Sequence, residues 1–309
     1  MFNTKEKGPT FLGIGAQKAA TTWLHSTLAQ SHNVYVPPVK ELHYFDRIDR
    51  DIYPSGLGKQ DRKGAASEGQ TGLTAYKKSN GRIRRNVQRV ADHIVKGEIS
   101  SVHFYYKFLL KSRSDDWYAN LYPSAKPVRG EITPEYALLS DQMIQRVTGR
   151  FPNLKVIYMI RNPIERAWSG YRYTLTRKAL SDTDIEGGLA FLDKEAASYH
   201  WRYHENAQRW HRHLAKGHLF IGFYDAVSEQ PNALISDIES FLGCAIAAPD
   251  LEKRNASLSS DMPEAFRRKA ETIFAEEMTR LSSELGGYCS EWISGKAEPS
   301  GTRPASHVL

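Results

Sequence analysis

The sequence predicts an α/β fold, namely a P-loop-like, doubly wound parallel sheet flanked by helices. Short apolar runs of the kind that forms buried parallel strands occur at residues 10–15, 155–160 and 218–223. Each run is followed by a stretch with helical signals, and strands that alternate with helices form parallel sheets. Ligands of such sheets bind where strands end and strand order reverses. The residues that directly follow the strands are therefore the first candidates for a functional site.

The first two strand–helix pairs have clear boundaries. The run at 10–15 leads through a short loop into a predicted helix at residues 21–30. The run at 155–160 ends in Arg-Asn-Pro at residues 161–163. Asparagine is a good helix cap and proline suits the first helical turn, which predicts a helix from residue 163 to about residue 177.

The C-terminal half adds the third strand and two more helices. After the strand at 218–223, the sequence predicts a helix at residues 231–242 that ends at Gly243. Residues 263–285 then form a long amphipathic pattern, and Gly286-Gly287 would stop that helix.

A single domain is expected from residue 8 to residue 290, followed by a flexible C-terminal tail at 291–309. Residues 47–113 fit the strand–helix alternation least. They contain a Gly/Lys/Ser-rich segment at 56–81 and a predicted helix at 82–96 with one apolar face. We interpret 47–113 as an insertion that covers the upper edge of the sheet, on the acceptor side, and not as an independent domain.

Composition excludes several classes of protein. The 309 residues have a net charge of +7 and two cysteines, Cys244 and Cys289, so neither a disulfide framework nor a cysteine-rich metal site is expected. No N-terminal apolar segment has the length of a signal peptide, and no run reaches the roughly 18 apolar residues of a membrane span. We therefore expect a cytoplasmic protein without a membrane span.

The stretch GAQKAATTWL at residues 15–24 has the parts of a phosphate-binding loop. It follows a strand and opens a helix, whose first N–H groups and dipole favour an anion. Lys18 adds a positive charge, and Thr21 and Thr22 add hydroxyl donors. The lysine comes before the small residues, so the Gly-Lys-Ser/Thr ending of a P-loop NTPase is missing. An ordinary turn with a solvated lysine is the alternative.

A second anion site is predicted after the strand at 155–160. An NTPase needs an acidic residue at the end of a neighbouring strand to hold Mg²⁺, but this strand ends in Arg161. Ser169 lies about two turns into the following helix, so a guanidinium group and a hydroxyl could bind one phosphate from two directions. Alternatively, Arg166 and Arg172 are surface charges and Ser169 is a packing residue.

Together, the two segments resemble the PAPS-dependent sulfotransferases, particularly the bacterial members and the sulfotransferase domains of enzymes that modify heparan sulfate. GAQKAATTWL resembles the 5′-phosphosulfate loop of that family, and VIYMIRNPIERAWSGY at 156–171 resembles its 3′-phosphate segment. The resemblance extends to KELHYFD at 40–46, GEITPEY at 130–136 and residues 223–243, and leaves 47–113 largely unmatched.

The resemblance implies the donor 3′-phosphoadenosine 5′-phosphosulfate (PAPS), its product PAP, and no metal. Lys18 would reach the 5′-phosphate and the bridging oxygen that leaves, with Thr21 and Thr22 as further 5′-phosphate donors, whereas Arg161 and Ser169 would bind the 3′-phosphate. The cofactor-binding set implied in this way is Lys18, Ala19, Ala20, Thr21, Thr22, Trp23, Arg161 and Ser169. Ala20 stands where many members have glycine, and alanine would be strained there if the position needs a positive φ.

The resemblance also implies a general base for sulfuryl transfer to a hydroxyl or an amine. Enzymes of the heparan type use a glutamate in a segment like KELHYFD, which assigns Glu41 this role here. His43 is the rival base, and His103 a more distant one. In a purely structural role, Glu41 would pair with Lys40 or cap a turn.

Other candidate residues are left open by the sequence. Glu131 and Glu135 would contact the acceptor or only pack at a strand end. Four histidines at positions 200, 204, 211 and 213 lack zinc spacing, and we interpret them as part of a helix face. Residues 252–258 occupy the place of a loop that closes over the cofactor in heparan-type enzymes, without a residue-by-residue match.

The distribution of charge bears on the acceptor. Residues 47–113 hold fifteen Lys/Arg and six Asp/Glu, which makes this segment +9 in a chain of +7. A glycan or another anionic or polyhydroxylated acceptor follows as a hypothesis, with a solvated helix face as the alternative.

Two other functions remain open, a P-loop-like nucleotide kinase and a basic nucleic-acid-binding protein. The absence of aromatic residues between 77 and 100 counts against nucleic acid as a partner. The sequence does not predict an oligomeric state.

Overall fold

A six-stranded sheet organises the chain, with strand order β2-β3-β1-β4-β5-β6. The structure, a computed structural model, describes residues 7–53, 70–71, 88–92, 95, 99–178, 184–247, 261–295 and 303–309. The first five strands in this order are parallel, and β6 pairs antiparallel with β5. The strands are β1 (Phe11–Gly15), β2 (Val34–Tyr35), β3 (Val128–Ile132), β4 (Lys155–Ile160), β5 (Leu219–Phe223) and β6 (Ser306–Val308).

Helices follow most strands and cover the sheet. Their bounds among the described residues are α1 (Thr21–Gln30), α2 (Phe45–Ile48), α3 (Ile99–Leu110), α4 (Asp115–Ala119), α5 (Asp141–Arg150), α6 (Pro163–Lys178), α7 (Ile185–Ala196), α8 (Tyr203–His211), α9 (Tyr224–Glu229), α10 (Pro231–Leu242), α11 (Glu264–Leu285) and α12 (Tyr288–Ser294). A 3₁₀ helix occupies Pro134–Leu138. The predicted α/β class is confirmed, and the predicted strands and helices agree with β1, β4, β5, α1, α6, α10 and α11 to within two residues.

The centre of the sheet is also the point where strand order reverses. β1 pairs with β3 on one side and with β4 on the other, and Phe11 lies opposite both Gly130 and Lys155. The chain visits β2 and β3 on one side of β1 before it crosses to β4. Loops that leave β1 and β4 therefore begin side by side at the carboxyl edge, where parallel sheets bind ligands.

Two groups of buried side chains hold these layers together. The larger group surrounds the sheet, and the smaller one lies between α6, α7 and α11, with Trp168 and Phe266 in edge-to-face contact. Arg166 of α6 and Glu195 of α7 form an ion pair beside it, and both side chains are almost fully buried. The interpretation of Arg166 as a surface charge is therefore wrong. The pair connects α6 to α7.

The predicted insertion is described only in part. Residues 54–69 and 72–87, which include most of the Gly/Lys/Ser-rich segment, lie outside the described residues, as do parts of the predicted helix at 82–96. Residues 88–92 of that helix are helical. The helix α3, which was not predicted, places Phe104, Tyr105 and Phe108 in the main core.

The sequence predicts a flexible tail at 291–309, but parts of this segment form regular secondary structure. The helix α12 extends to Ser294, and residues 306–308 form the edge strand β6 beside β5. Arg303 donates to both carboxylate oxygens of Glu291 at 2.8 and 2.7 Å and is 7% exposed. These contacts attach residues 303–309 to the domain, because β5 offers an unpaired edge that a short strand can complete.

Candidate functional site

The loop between β1 and α1 has a backbone shaped for an anion. Lys18 and Ala20 have φ values of 65° and 62°, in the left-handed region. Ala20 is the N-cap of α1, and none of the described side chains caps this helix end. The first N–H groups of a helix have no partner within the helix. Together with the helix dipole, they make the start of α1 suitable for a phosphate.

Ala20→Gly is expected to stabilise the protein by up to about 1 kcal/mol. The left-handed conformation costs residues with a Cβ atom about 1–2 kcal/mol, whereas glycine adopts it freely and loses only part of this gain through backbone entropy. Urea unfolding would measure the change. Ala19→Gly is the control, because Ala19 is fully buried in the core and should lose stability instead. A destabilised Ala20→Gly variant would contradict the expectation.

Lys18 lies in a concentration of positive charge. Burial lowers the pKa of its ammonium group, and the charges of Arg161, Arg172 and Lys40 lower it further. Its Nζ atom lies 4.4 Å from the centre of the Tyr173 ring, on α6. Cations held this close repel one another, and a multivalent anion bound among them would remove the repulsion. The residues present therefore fit a ligand with phosphate groups.

Arg161 meets Lys18 at the reversal point of the sheet. One guanidinium N–H donates to the carbonyl oxygen of Lys18 at 3.3 Å. The guanidinium carbon lies 4.0 Å from the ring centre of Tyr224, the first residue after β5. The carboxylate of Glu165 lies 4.0 Å from the Nη2 atom of Arg161. The loop after β1 and the end of β4 are thus in contact at the carboxyl edge of the sheet.

Most of the other predicted cofactor residues are buried or packed against the core, and one, Thr22, is exposed. Ala19 is fully buried and its N–H donates within the loop to the carbonyl of Ala16, so its side chain serves packing. Thr21 and Ser169 are buried at 6% and 7% exposure, Ser169 lying two turns into α6. Trp23 packs against the main core. Thr22 is exposed, and its Oγ1 accepts a hydrogen bond of 2.8 Å from Lys40, which connects the loop to the segment that holds Glu41.

Glu41 and His43 form a charged network with their neighbours. Glu41 lies 3.1 Å from the Nζ of Lys40 and 3.6 Å from His43 Nε2, and His43 Nδ1 lies 2.8 Å from Asp46. Burial raises the pKa of Glu41, but the hydrogen bond from His43 and the charge of Lys40 outweigh it and lower that pKa to about 2. Burial lowers the pKa of His43, but Asp46 and Glu41 raise it to about 10.

The three candidate bases differ in their protonation state and in their surroundings. An imidazole with a pKa near 10 is protonated at neutral pH and has no free lone pair for an acceptor proton. Glu41 is ionised, and its side chain is 36% exposed, so it can accept a proton. His103 lies on the exposed face of α3, stacked 6.4 Å from Tyr106. These protonation states favour Glu41 over His43 as a proton acceptor. The contact of Glu41 with Lys40 is also the one expected of a structural role.

Glu131 and Glu135 are both buried, with different surroundings. Glu135 accepts from Gln17 of the phosphate loop at 2.8 Å and lies 3.5 Å from His200. Glu131 is 1% exposed and accepts four hydrogen bonds. Of the two alternatives for Glu131, burial at a strand is therefore the one that the structure shows.

The four C-terminal histidines do not share one helix face. His200 lies before α8 beside Glu135, His204 pairs with Glu284 at 2.7 Å, and His213 follows α8 and pairs with Asp141 at 2.7 Å. Each histidine that pairs has a different carboxylate partner. Across the described ranges, no group of three or more His, Cys, Asp or Glu side chains is arranged to hold a metal ion.

The sequence model of the sulfotransferase family matches residues 9–248, more than three quarters of the chain. The chain belongs to the sulfotransferase family. This confirms the resemblance found in its motifs. The matched segment includes both loops that meet at the carboxyl edge of the sheet.

This sulfotransferase is similar over part of its length to two mouse (Mus musculus) proteins. One is heparan sulfate glucosamine 3-O-sulfotransferase 6, 26% identical over 139 residues, which cover 41% of this chain and 39% of the relative. The other is heparan sulfate glucosamine 3-O-sulfotransferase 3B1, 24% identical over 139 residues, which cover 41% of this chain and 34% of the relative. The alignments thus span less than half of each relative.

Solved sulfotransferases share the fold. A sulfotransferase from Alicyclobacillus acidocaldarius superposes with a TM-score of 0.61 and 20% identity, covering 92% of this chain and 98% of that chain. A sulfotransferase domain from the curacin biosynthetic pathway superposes with a TM-score of 0.50 and 14% identity, covering 91% and 98%. At these identities the likeness concerns the arrangement of strands and helices. None of the described helices combines the length and apolar character that crossing a bilayer requires.

Three residues of this sulfotransferase were not expected at the site. Lys40, Tyr173 and Tyr224 contact Thr22, Lys18 and Arg161, respectively. Lys40 stands directly before Glu41, and Tyr224 directly follows β5, so position after a strand was an available signal for Tyr224. Tyr173 lies one helical turn beyond Ser169, a spacing that places both on one side of α6. Residues 252–258, the predicted closing loop, lie outside the described residues.

Proposed function

We propose that this sulfotransferase uses PAPS as its donor and transfers the sulfuryl group to a hydroxyl of a glycan or other polyhydroxylated acceptor. The single observation that carries the proposal is the meeting of Lys18 and Arg161 at the reversal point, with a cation at the strand end where a nucleotide kinase needs a carboxylate for Mg²⁺. Two separate cationic positions fit a ligand with phosphates at both its 5′ and 3′ ends.

PAPS would supply a sulfuryl group attached to a good leaving group, and the residues of this chain supply the rest. Arg161, with the hydroxyl of Ser169, would bind the 3′-phosphate, while the loop from Lys18 to Trp23 would hold the 5′-phosphate. Glu41 would accept the proton of the acceptor hydroxyl as its oxygen forms a bond to sulfur. Lys18 would stabilise the phosphate oxygen that is released when the old S–O bond breaks, because charge develops there.

Two observations support a glycan as the acceptor. The relatives in mouse are named for a glucosamine of heparan sulfate, which we extend to this chain only as part of the proposal. The segment 47–113, with its charge of +9, is placed next to the Glu41 network in the sequence and would attract an anionic polymer. Transfer to an amine and a cytoplasmic location stay predictions from the sequence.

A thermal-shift titration with PAP, with ATP·Mg²⁺ in parallel, tests the donor. A ligand present at a hundred times its Kd adds about 2.7 kcal/mol of stability, which is a rise of about 4–5 °C for a chain of this size. We expect PAP to give this rise and ATP·Mg²⁺ to give none. A rise with ATP·Mg²⁺ alone would overturn PAPS as the donor and favour a nucleotide kinase activity.

Arg161→Ala is expected to abolish most of the PAP shift, because a charge-assisted hydrogen bond to phosphate contributes more than a neutral one. The control is Arg268→Ala, which removes an exposed arginine paired with Glu264 on α11. The control should keep the full shift. If both variants bind PAP as wild type does, the 3′-phosphate lies elsewhere.

A further inference from the structure

The segment that carries the proposed base has an unusual backbone. Glu41 and His43 have φ values of 61° and 51°, both in the left-handed region that disfavours residues with a Cβ atom. Between and after them, Leu42 and Tyr44 are 0% and 1% exposed. Glu41 and His43 thus alternate with two side chains that are buried in the core. A conformation of this kind persists only where the surrounding structure holds it in place.

Glu131 of β3 lies directly beneath this segment. Its Oε2 accepts the backbone N–H of Leu42 at 2.9 Å and the hydroxyl of Thr133 at 2.7 Å. Its Oε1 accepts the hydroxyls of Tyr118 at 2.7 Å and Tyr136 at 2.8 Å. A protonated carboxyl would need an acceptor for its own proton, whereas all four of these neighbours donate. The contacts therefore suit a carboxylate, although burial raises the pKa of Glu131.

Tyr136 extends the same support by one residue. Its hydroxyl oxygen accepts the backbone N–H of Tyr44 at 3.1 Å while its proton is donated to Glu131. The backbone N–H of Leu42 therefore donates directly to the carboxylate of Glu131, and that of Tyr44 is connected to the same carboxylate through the Tyr136 hydroxyl. This carboxylate is 1% exposed and lies behind the segment, where no acceptor can reach it.

We propose that Glu131, together with Tyr136, is a positioning residue that holds residues 41–44 in the conformation that presents Glu41 to the acceptor. The inference rests on the proposed function for the role of Glu41, but the geometry it explains does not depend on the identity of the donor. Glu131 acts through Leu42 and Tyr44 and touches neither donor nor acceptor.

Two tyrosines allow a matched comparison. Tyr136→Phe and Tyr118→Phe each remove one hydroxyl from the same oxygen of Glu131 and keep the ring. Tyr136 also supports the backbone of Tyr44. Among the described residues, the Tyr118 hydroxyl accepts from Tyr122, at 3.0 Å, and from no backbone group of the 41–44 segment. If Glu131 merely stabilises the fold, the two variants behave alike. If it positions the segment, only Tyr136→Phe disturbs Glu41 and His43.

A pH titration by NMR measures the pKa of the His43 ring, which reports on the conformation of residues 41–44 and requires neither donor nor acceptor. The resonance is assigned by its loss in His43→Gln. In wild type the pKa of His43 is raised to about 10, because Asp46 and Glu41 outweigh burial and the opposing charge of Arg47. We expect a value above 8 in wild type and Tyr118→Phe, and a shift toward the ordinary value of about 6.5 in Tyr136→Phe and Glu131→Gln. Equal values in all four proteins would overturn the proposal.

Activity provides the second readout, with labelled PAPS and unsulfated heparan-type polysaccharide as the probe. We expect kcat to fall about 10–100-fold in Glu131→Gln and Tyr136→Phe, with the Kd for PAP and the kcat of Tyr118→Phe unchanged. Loss of kcat equal to the loss of folded protein would contradict a positioning role. A wild type that binds no PAP would instead contradict the proposed function, while the NMR comparison would still decide the role of Glu131. If Glu131→Gln does not fold, the two tyrosine variants carry the test.

Discussion

Glu41→Gln is expected to lower kcat by about 10²–10⁴-fold, the range that a positioned general base contributes. Glutamine keeps the size of the side chain and its contact with Lys40, but it cannot accept the proton of the acceptor hydroxyl. The Kd for PAP should stay close to that of wild type, because the proposed role of Glu41 is toward the acceptor and not toward the donor. Steady-state kinetics with labelled PAPS, combined with PAP binding, would measure both quantities.

The pH dependence gives this prediction a second test. The pKa of Glu41 is lowered to about 2, so its carboxylate is ionised above that value and becomes protonated only as the pH falls through it. Between pH 5 and 8, Glu41 should therefore add no acid limb to kcat/KM. Glu284→Gln, at an exposed carboxylate paired with His204, is the control and should keep the wild-type rate. If His43→Gln loses activity and Glu41→Gln does not, His43 is the base.

Lys18→Met should lower kcat by about 10²–10³-fold, the cost of removing a group aimed at developing charge. Methionine keeps an unbranched apolar chain of similar length. The PAP thermal shift should shrink as well, since the 5′-phosphate would lose the cation that we propose to bind it. Rapid-quench measurement of a single turnover would separate the chemical step from product release.

The stability of the free protein provides the control for Lys18. Burial and three neighbouring cations lower the pKa of Lys18, which means that keeping it charged opposes folding. Lys18→Met should therefore leave the unfolding free energy of the ligand-free protein unchanged or raise it. Lys269→Met, which breaks the exposed ion pair with Asp193, should keep both activity and PAP binding. A Lys18→Met variant that unfolds would show a structural role in place of a ligand-binding one.

The strands that the sequence predicts are those made of uninterrupted apolar residues. The runs that form β1, β4 and β5 are almost entirely buried, and the predicted helices after β1 and β4 have recognisable starts. β3, with the sequence VRGEI, lacks that pattern, although all five residues are buried. Arg129 donates to the carbonyl of Gly8, and Glu131 receives four donors. The polar residues of β3 hid it from sequence-based prediction, because the apolar pattern of a buried strand does not include charged residues that are satisfied by buried partners.

The same limit applies to the site. The meeting of Lys18 and Arg161 could be predicted, since both follow strands and the carboxyl ends of parallel strands share an edge. The strain at Ala20 was a conditional prediction, and its φ of 62° meets the condition. In contrast, the contact of Arg161 with Tyr224 and that of Lys18 with Tyr173 depend on how α6 and α9 pack on the sheet. Local sequence carries no signal for such packing.

The reversal of strand order at β1 has a consequence for how this enzyme could diversify. The residues proposed to hold the donor follow β1 and β4, whereas Glu41, Glu131 and Tyr136 follow or belong to β2, β3 and the 3₁₀ helix on the other side. The sheet thus divides the protein into two modules that meet at one edge. Recombination that exchanges residues 36–138 between homologues keeps Glu41 together with Glu131 and Tyr136. It should change acceptor preference and leave donor use intact, which makes that segment the natural unit for engineering.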